Sequence, residues 1–319
     1  MKRFLIALLL GWAASASAQS DYPNKPVRLV VSFAVGGISD VLARALAIPL
    51  SKQLGQQVIV DNKPGAGTSI AGDYIAKAAP DGYTIWLQDI TTHAINVNLY
   101  SKLPYDSVKD FTFIAMVAST PLMLVVHPST PASSVKELIA LLKANPGKYS
   151  YGSSGTGTIV HLASEMLKHS AGVDALHVPY KGSNPATAAI LGGEVTFVFS
   201  TMPPAISNAK AGKLRALAVT TPKRVAAAPE VPTMIDAGLR DFEVVLYSGV
   251  LAPKGMDPAV VKKLNAAFAA TVRAPEIQKV YEQIGADAIV MTPEEFEKAT
   301  LREIAKLGPV VKASGARIE

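Results

Sequence analysis

VRLVVSFAVGGISDVLARALAIPLSKQLG, residues 27–55, decides the fold class. Its opening run, Val27 to Phe33, is apolar and valine-rich, the pattern of a strand buried on both faces of a parallel sheet. Gly36-Gly37 then turns the chain. Ser39 and Asp40 are N-cap residue types, and Val41 to Leu54 repeats apolar side chains at helical spacing until Gly55 stops it. A strand, a glycine turn and a helix make the first half of a βαβ unit.

The same plan continues on the C-terminal side. Val58 to Val60 reads as a second strand, Pro64 to Ser69 as a turn, Ile70 to Ala79 as a helix and Tyr83 to Leu87 as a third strand. Alternation of this kind implies a parallel sheet with right-handed crossovers. It restarts after two further strands, Phe111 to Ala118 and Leu122 to His127. Helices are expected at Ser134 to Ala144, Ile159 to Ala171 and Pro185 to Leu191, with strands at Tyr149 to Tyr151, His177 to Tyr180, Val195 to Phe199 and Leu214 to Thr220. Val244 to Ala252 returns as a strand, and the chain is helical from Pro258, with a capped helix start at Thr292-Pro293-Glu294-Glu295.

At the N-terminus, Lys2-Arg3, the apolar run Phe4 to Ala14 and Ala16-Ser17-Ala18 read as a signal peptide over residues 1–18. The mature chain, from Gln19, is then about 300 residues, enough for two domains, and is expected in the periplasm. Cysteine is absent, which excludes disulfides, thiolate nucleophiles and cysteine metal sites. The net charge of +6 is spread without a basic run or interleaved aromatics, so nucleic-acid binding is not expected.

Several small-residue turns follow a strand and open a helix: Gly36-Gly37-Ile38-Ser39, Gly65 to Thr68, Thr91-Thr92-His93, Gly155 to Thr158, Lys181-Gly182-Ser183 and Ser200-Thr201. In an open α/β sheet such turns gather at the carboxyl ends of the strands. Each offers free N–H groups at the positive end of a helix, suited to an anion. Nucleotide motifs fail in detail: Ile70 stands where a third dinucleotide glycine belongs, and Thr158 where a P-loop lysine belongs. The five histidines form no metal-binding helix pair, and no cofactor or metal is expected. Gly152-Ser153-Ser154-Gly155-Thr156 approaches a nucleophile elbow but ends in Thr rather than Gly.

Nine ordered blocks carry a resemblance. They include YPNKPVRLVVSF from Tyr22, GGISDVLARALA from Gly36, VIVDNKPGAGT from Val58, AAPDGYT from Ala78, LPYDSVKDF from Leu103, HVPYKGS from His177 and VPTMIDAGL from Val231. Over nearly its whole mature length the chain resembles the substrate-binding proteins of tripartite tricarboxylate transporters, the Bug family. The resemblance implies a two-lobed periplasmic-binding-protein clamshell, each lobe a mostly parallel sheet flanked by helices. Lobe I would comprise residues 19–121 and 247–319 and lobe II residues 122–246, with hinge strands at about Leu122 to His127 and Tyr247 to Ala252. It also implies a non-enzymatic receptor that holds a carboxylate largely through backbone amides and ordered waters and passes it to membrane permease subunits; a monomer is expected, because a clamshell needs no partner to form its site.

Three departures bear on the ligand. Ala34-Val35 replaces two prolines usual in the family, Ser200 replaces a frequent Asp, and Gln88-Asp89-Ile90 replaces a small neutral run. The expected ligand is a dicarboxylate, aliphatic or aromatic, such as terephthalate. Gly36, Gly37, Ser39, Asp40, Thr68, Asp89, Thr91, Thr92 and His93 are its candidate contacts on the first lobe. Gly155, Thr156, Thr158, His161, Lys181, Ser200 and Thr201 are those on the second. Three rival readings stay open: an amino acid or amide read by Asp89, a periplasmic hydrolase using Ser154, and a sensing role in which the closed form docks on a receptor kinase.

Overall fold

The structure is a computed structural model that describes residues 22–314 and 316–318; the expected signal peptide lies outside the described residues. The first lobe begins with β1 (Val27–Val31), α1 (Ile38–Leu54), β2 (Val58–Asn62), α2 (Ser69–Ala76), β3 (Thr84–Asp89) and α3 (Ile90–Leu99). β2 and β3 flank β1, both parallel to it, as the strand–turn–helix alternation requires. Leu42, Leu46 and Leu50 form one fully buried stripe of α1, worth about 2 kcal/mol of burial per side chain. α1 starts at Ile38 with Gly37 as N-cap, so Ser39 and Asp40 sit inside its first turn instead of ahead of it. Asp40 accepts the Gly36 N–H from there at 3.0 Å, which does the capping from the other side.

Next comes β4 (Phe111–Val126), one sixteen-residue strand where the sequence suggested two. It pairs with β9 (Val245–Pro253) from Phe111 to Pro121 and with second-lobe strands from Leu122 to Val126. Pro121, which has no N–H to give a ladder, falls at this change of partners and so does not break the strand. Between β4 and β9 the second lobe supplies α4 (Val135–Ala144), β5 (Ser150–Ser153), α5 (Ile159–Ala171), β6 (Leu176–Pro179), α6 (Ser183–Leu191), β7 (Phe197–Thr201), α7 (Met202–Lys210) and β8 (Arg215–Val219). After β9 the chain adds α8 (Pro258–Val272), α9 (Pro275–Ile284), β10 (Asp287–Ala288) and α10 (Pro293–Ala313) to the first lobe. Thr292 and Glu295 close a full capping box on α10, as that segment predicts.

The result is a two-lobed α/β clamshell on one mixed sheet in the order β2-β1-β3-β9-β4-β7-β5-β6. Parallel pairing holds in β2-β1-β3 and β7-β5-β6, and antiparallel pairing enters with the crossing strands, β8 and β10. Thr220 ties the two crossings together. Its hydroxyl accepts the Leu122 N–H at 2.9 Å and donates to Val244 O at 2.6 Å. Thr220→Val leaves those two buried backbone groups without partners, at roughly 1–3 kcal/mol each. A fall in the unfolding midpoint of that size is the expected result in a denaturant titration.

Candidate functional site

Five helix N-termini converge between the lobes. α1 and α3 arrive from the first lobe, each following a strand end, and α5, α6 and α7 from the second. They surround a small cavity lined by Phe33, Gly37, Ile38, Ser39 and Asp89 on one side. Ser154, Ile159, Val160, Ser183 and Thr201 line the other, and Leu246 of β9 closes the back. First-turn N–H groups have no partner within their own helix and carry the positive end of its dipole, so this wall favours an anion. The hydroxyls of Ser39 and Thr201 are buried with no partner among the described residues, one on each lobe. A more open groove continues outward past Phe33 and Ser154, which line both spaces. Gly67, Thr68, Tyr100, Gly155, Thr156 and Lys181 border it.

The lobes touch across the cleft. The Ile159 N–H at the start of α5 donates to the Thr92 hydroxyl at 3.1 Å, and Thr92 in turn donates to Asp89. Asn184 Nδ2 of α6 donates to Val35 O at 3.3 Å. Glycines make the approach possible: a Cβ on Gly67 would lie 2.6 Å from the backbone oxygen of Thr156, and one on Gly36 2.5 Å from Asn184. Gly37 has no such neighbour, its nearest contact being 3.8 Å away.

The anticipated residues divide accordingly. Gly37, Ser39, Asp89 and Thr201 line the cavity, and Thr68, Gly155, Thr156 and Lys181 line the groove. Thr92 bridges the lobes. Thr158 caps α5, its side chain accepting the His161 N–H, and shares its hydroxyl with Gly155 O and Ser154. Asp40 is held by Arg44 and Asn62 as well as Gly36. Burial works against its ionisation, but these bonds keep its carboxyl below the usual carboxylate range. Thr91 fastens α3 to β9, donating to Val245 O and accepting the Tyr247 N–H. Ser200 is fully buried against Thr187.

Both histidines lie behind the cavity rather than in it. His93 is packed among Trp86, Tyr105 and Phe111, with Nε2 at 2.8 Å from Ser107 O. Burial pushes it down to about 4, so it is neutral. α3 is buried on both faces, which turns position 93 into the aromatic core. His161 stacks on His177 at 4.1 Å and accepts the Gly157 N–H; burial lowers its pKa too. Ser154, the elbow serine, meets the Thr158 hydroxyl and no histidine. Ser153 does contact His177 at 2.6 Å, but Ser153 is fully buried and does not line the cavity.

Sequence reasoning missed the apolar lining, Phe33, Ile38, Ile159, Val160 and Leu246, because such side chains read as core. Ser183 was visible only as part of its turn.

Asp89 is the cavity's charged residue. It ends β3 and caps α3, accepting the Thr92 N–H at 2.9 Å on Oδ1 and the Thr92 hydroxyl on Oδ2. Burial pushes its carboxyl up to about 6, against those bonds.

A family model described as "Tripartite tricarboxylate transporter family receptor" matches residues 42–316. Protein BugT of Bordetella pertussis is 35% identical over 97% of this chain and 95% of its own length. Among solved structures, Rpa4515 of R. palustris with adipate is 35% identical with a TM-score of 0.90, over 93% of this chain and 100% of that one. MatC from Rhodopseudomonas palustris with bound malate is 30% identical with a TM-score of 0.86, over 91% of this chain and 100% of that one. The family is one of transporter receptors and includes a solved periplasmic binding protein, BugD, 34% identical with a TM-score of 0.90, rather than enzymes, which removes the hydrolase reading.

Proposed function

Because the chain belongs to the tripartite tricarboxylate transporter receptor family, we propose that it is a periplasmic receptor that closes on a dicarboxylate and delivers it to membrane permease subunits. Two of its solved relatives hold small carboxylates, adipate in one and malate in the other, which supports capture of a carboxylate here. The observation that carries the reading here is the cavity itself. Helix N-termini from both lobes and the unpartnered hydroxyls of Ser39 and Thr201 make a wall for one carboxylate. The second carboxylate would point into the outer groove toward Lys181.

Residues 19–121 and 247–319 form the first lobe in this reading and 122–246 the second. Closure turns about the level of Thr220, where β4 changes partners. The receptor acts as a monomer, since one chain supplies both walls of the site. The segment 1–18 directs export and is removed.

Thermal unfolding of the purified protein with a panel of mono-, di- and tricarboxylates, aromatic acids and amino acids tests this. A ligand at a hundredfold over its dissociation constant stabilises by roughly 2.7 kcal/mol, a rise of several degrees at this size. The expected result is a rise with dicarboxylates, short aliphatic ones or terephthalate. No rise with any carboxylate refutes capture.

A further inference from the structure

We propose that Asp89 selects the ligand, accepting a hydrogen bond from a hydroxyl or ammonium group carried on the carbon skeleton of the bound carboxylate. The inference rests on the capture reading and narrows its substrate class.

Asp89 is 1% exposed and lines the cavity, and none of the other lining residues carries a charge or titrates near neutrality. The groups facing the same space, Ser39 of α1, Ser154 ahead of α5, Ser183 of α6, Thr201 ahead of α7 and Leu246 of β9, are all neutral. Thr92 gives one hydrogen bond to each of its oxygens, and the Thr91 N–H also faces the carboxyl. A carboxylate has about four lone-pair sites, so acceptor capacity remains.

Capping α3 does not call for a charge. Ser134, Thr158 and Thr292 cap α4, α5 and α10 with hydroxyls, and serine or asparagine caps about as well as aspartate. A buried carboxylate without a counter-charge costs more than a neutral cap. A donor on the ligand offsets that cost, and a charge-assisted hydrogen bond is the stronger kind.

The cavity therefore makes two demands on its ligand. Helix ends and the free hydroxyls of Ser39 and Thr201 suit an anion, while Asp89, when ionised, only accepts. A 2-hydroxy or 2-amino acid meets both. A second ionised carboxylate set against Asp89 is repelled.

The test is isothermal titration of wild type, Asp89→Asn and Asp89→Ser at pH 8 and pH 5. The probes are succinate, malate and aspartate, three four-carbon diacids differing at one substituent, with terephthalate and 2-hydroxyterephthalate as an aromatic pair. Wild type should bind a donor-bearing member of one series roughly tenfold or more tighter than its parent at pH 8. Both variants keep a cap, and both should shrink that preference to about threefold or less, mainly by strengthening the parent acid. An aspartate preference that fades at pH 5, as Asp89 takes up a proton, identifies an ammonium. A malate or 2-hydroxyterephthalate preference that survives identifies a hydroxyl. Equal binding of parent and substituted acids by wild type overturns the inference and leaves carboxylate capture standing. So does an equal loss for every probe in both variants, the signature of a cap alone. If no carboxylate binds, capture and this inference fall together.

Discussion

Gly67→Ala should weaken ligand binding by roughly a hundredfold or more while leaving the protein folded. Gly67 sits at φ 54°, ψ 34°, in the left-handed region, where alanine costs about 1–2 kcal/mol. That cost is the same whether the lobes are apart or together. The clash with Thr156 is not: the new methyl would lie 2.6 Å from its backbone oxygen. Thr156 belongs to the second lobe and meets Gly67 only across the cleft, and a backbone oxygen cannot swing aside as a side-chain tip can. The closed population falls, and apparent affinity falls with it. Small-angle scattering with saturating ligand should report the open shape, and calorimetry the lost affinity. Wild-type affinity in Gly67→Ala would mean that closure does not bring these two loops together in solution.

Asp89→Asn should stabilise the unliganded protein, and the gain should grow with pH. The folded-state carboxyl is pushed up to about 6 from its ordinary range, chiefly by burial. A raised pKa means that the folded state holds its proton more tightly. The associated stability is fully present below about pH 4 and is lost as pH rises through about 6. At pH 8 the ionised, buried group costs on the order of 3 kcal/mol relative to the unfolded chain. Asparagine carries no such cost and still accepts the Thr92 N–H. The difference in unfolding temperature, variant minus wild type, should be small at pH 4 and positive by several degrees at pH 8. An equal difference at both values would show that Asp89 ionises in the folded protein as it does in the unfolded chain.

Much of this molecule can be read from local pattern. The helix expected at Ile159 to Ala171 has those bounds in the structure, and the start of α10 carries the anticipated cap. In both places the signal is short-range: apolar spacing, a cap residue and a stop. The join at Ala118 to Pro121 was not legible. A small-residue stretch ending in proline looks like a turn, and only its partners, Leu246 to Ser248 on one side and Thr220 at its end, make it continuous strand. Asp40 and Asp89 show the same limit within the site. Both precede or open helices and both are acidic, yet Arg44 and Asn62 reach Asp40 while no basic side chain lines the cavity beside Asp89. His93 was attractive because it follows two threonines at a helix start. Trp86, Tyr105 and Phe111 claim it, and no local rule announces that cluster.

The order of strands also sets a timetable for synthesis. β3 has β1 on one side and β9 on the other, and β9 begins at Val245, more than a hundred and fifty positions after β3 ends at Asp89. A chain emerging from its N-terminus can complete β5, β6, β7 and β8 against the far half of β4 while the near half and β3 still await their shared neighbour. During that interval Trp86 and Leu87 lie on an unpaired edge, the kind of surface that recruits other strands. The module inserted in the middle of the chain is thus the one able to mature first, and the half that carries both termini is the one left exposed longest.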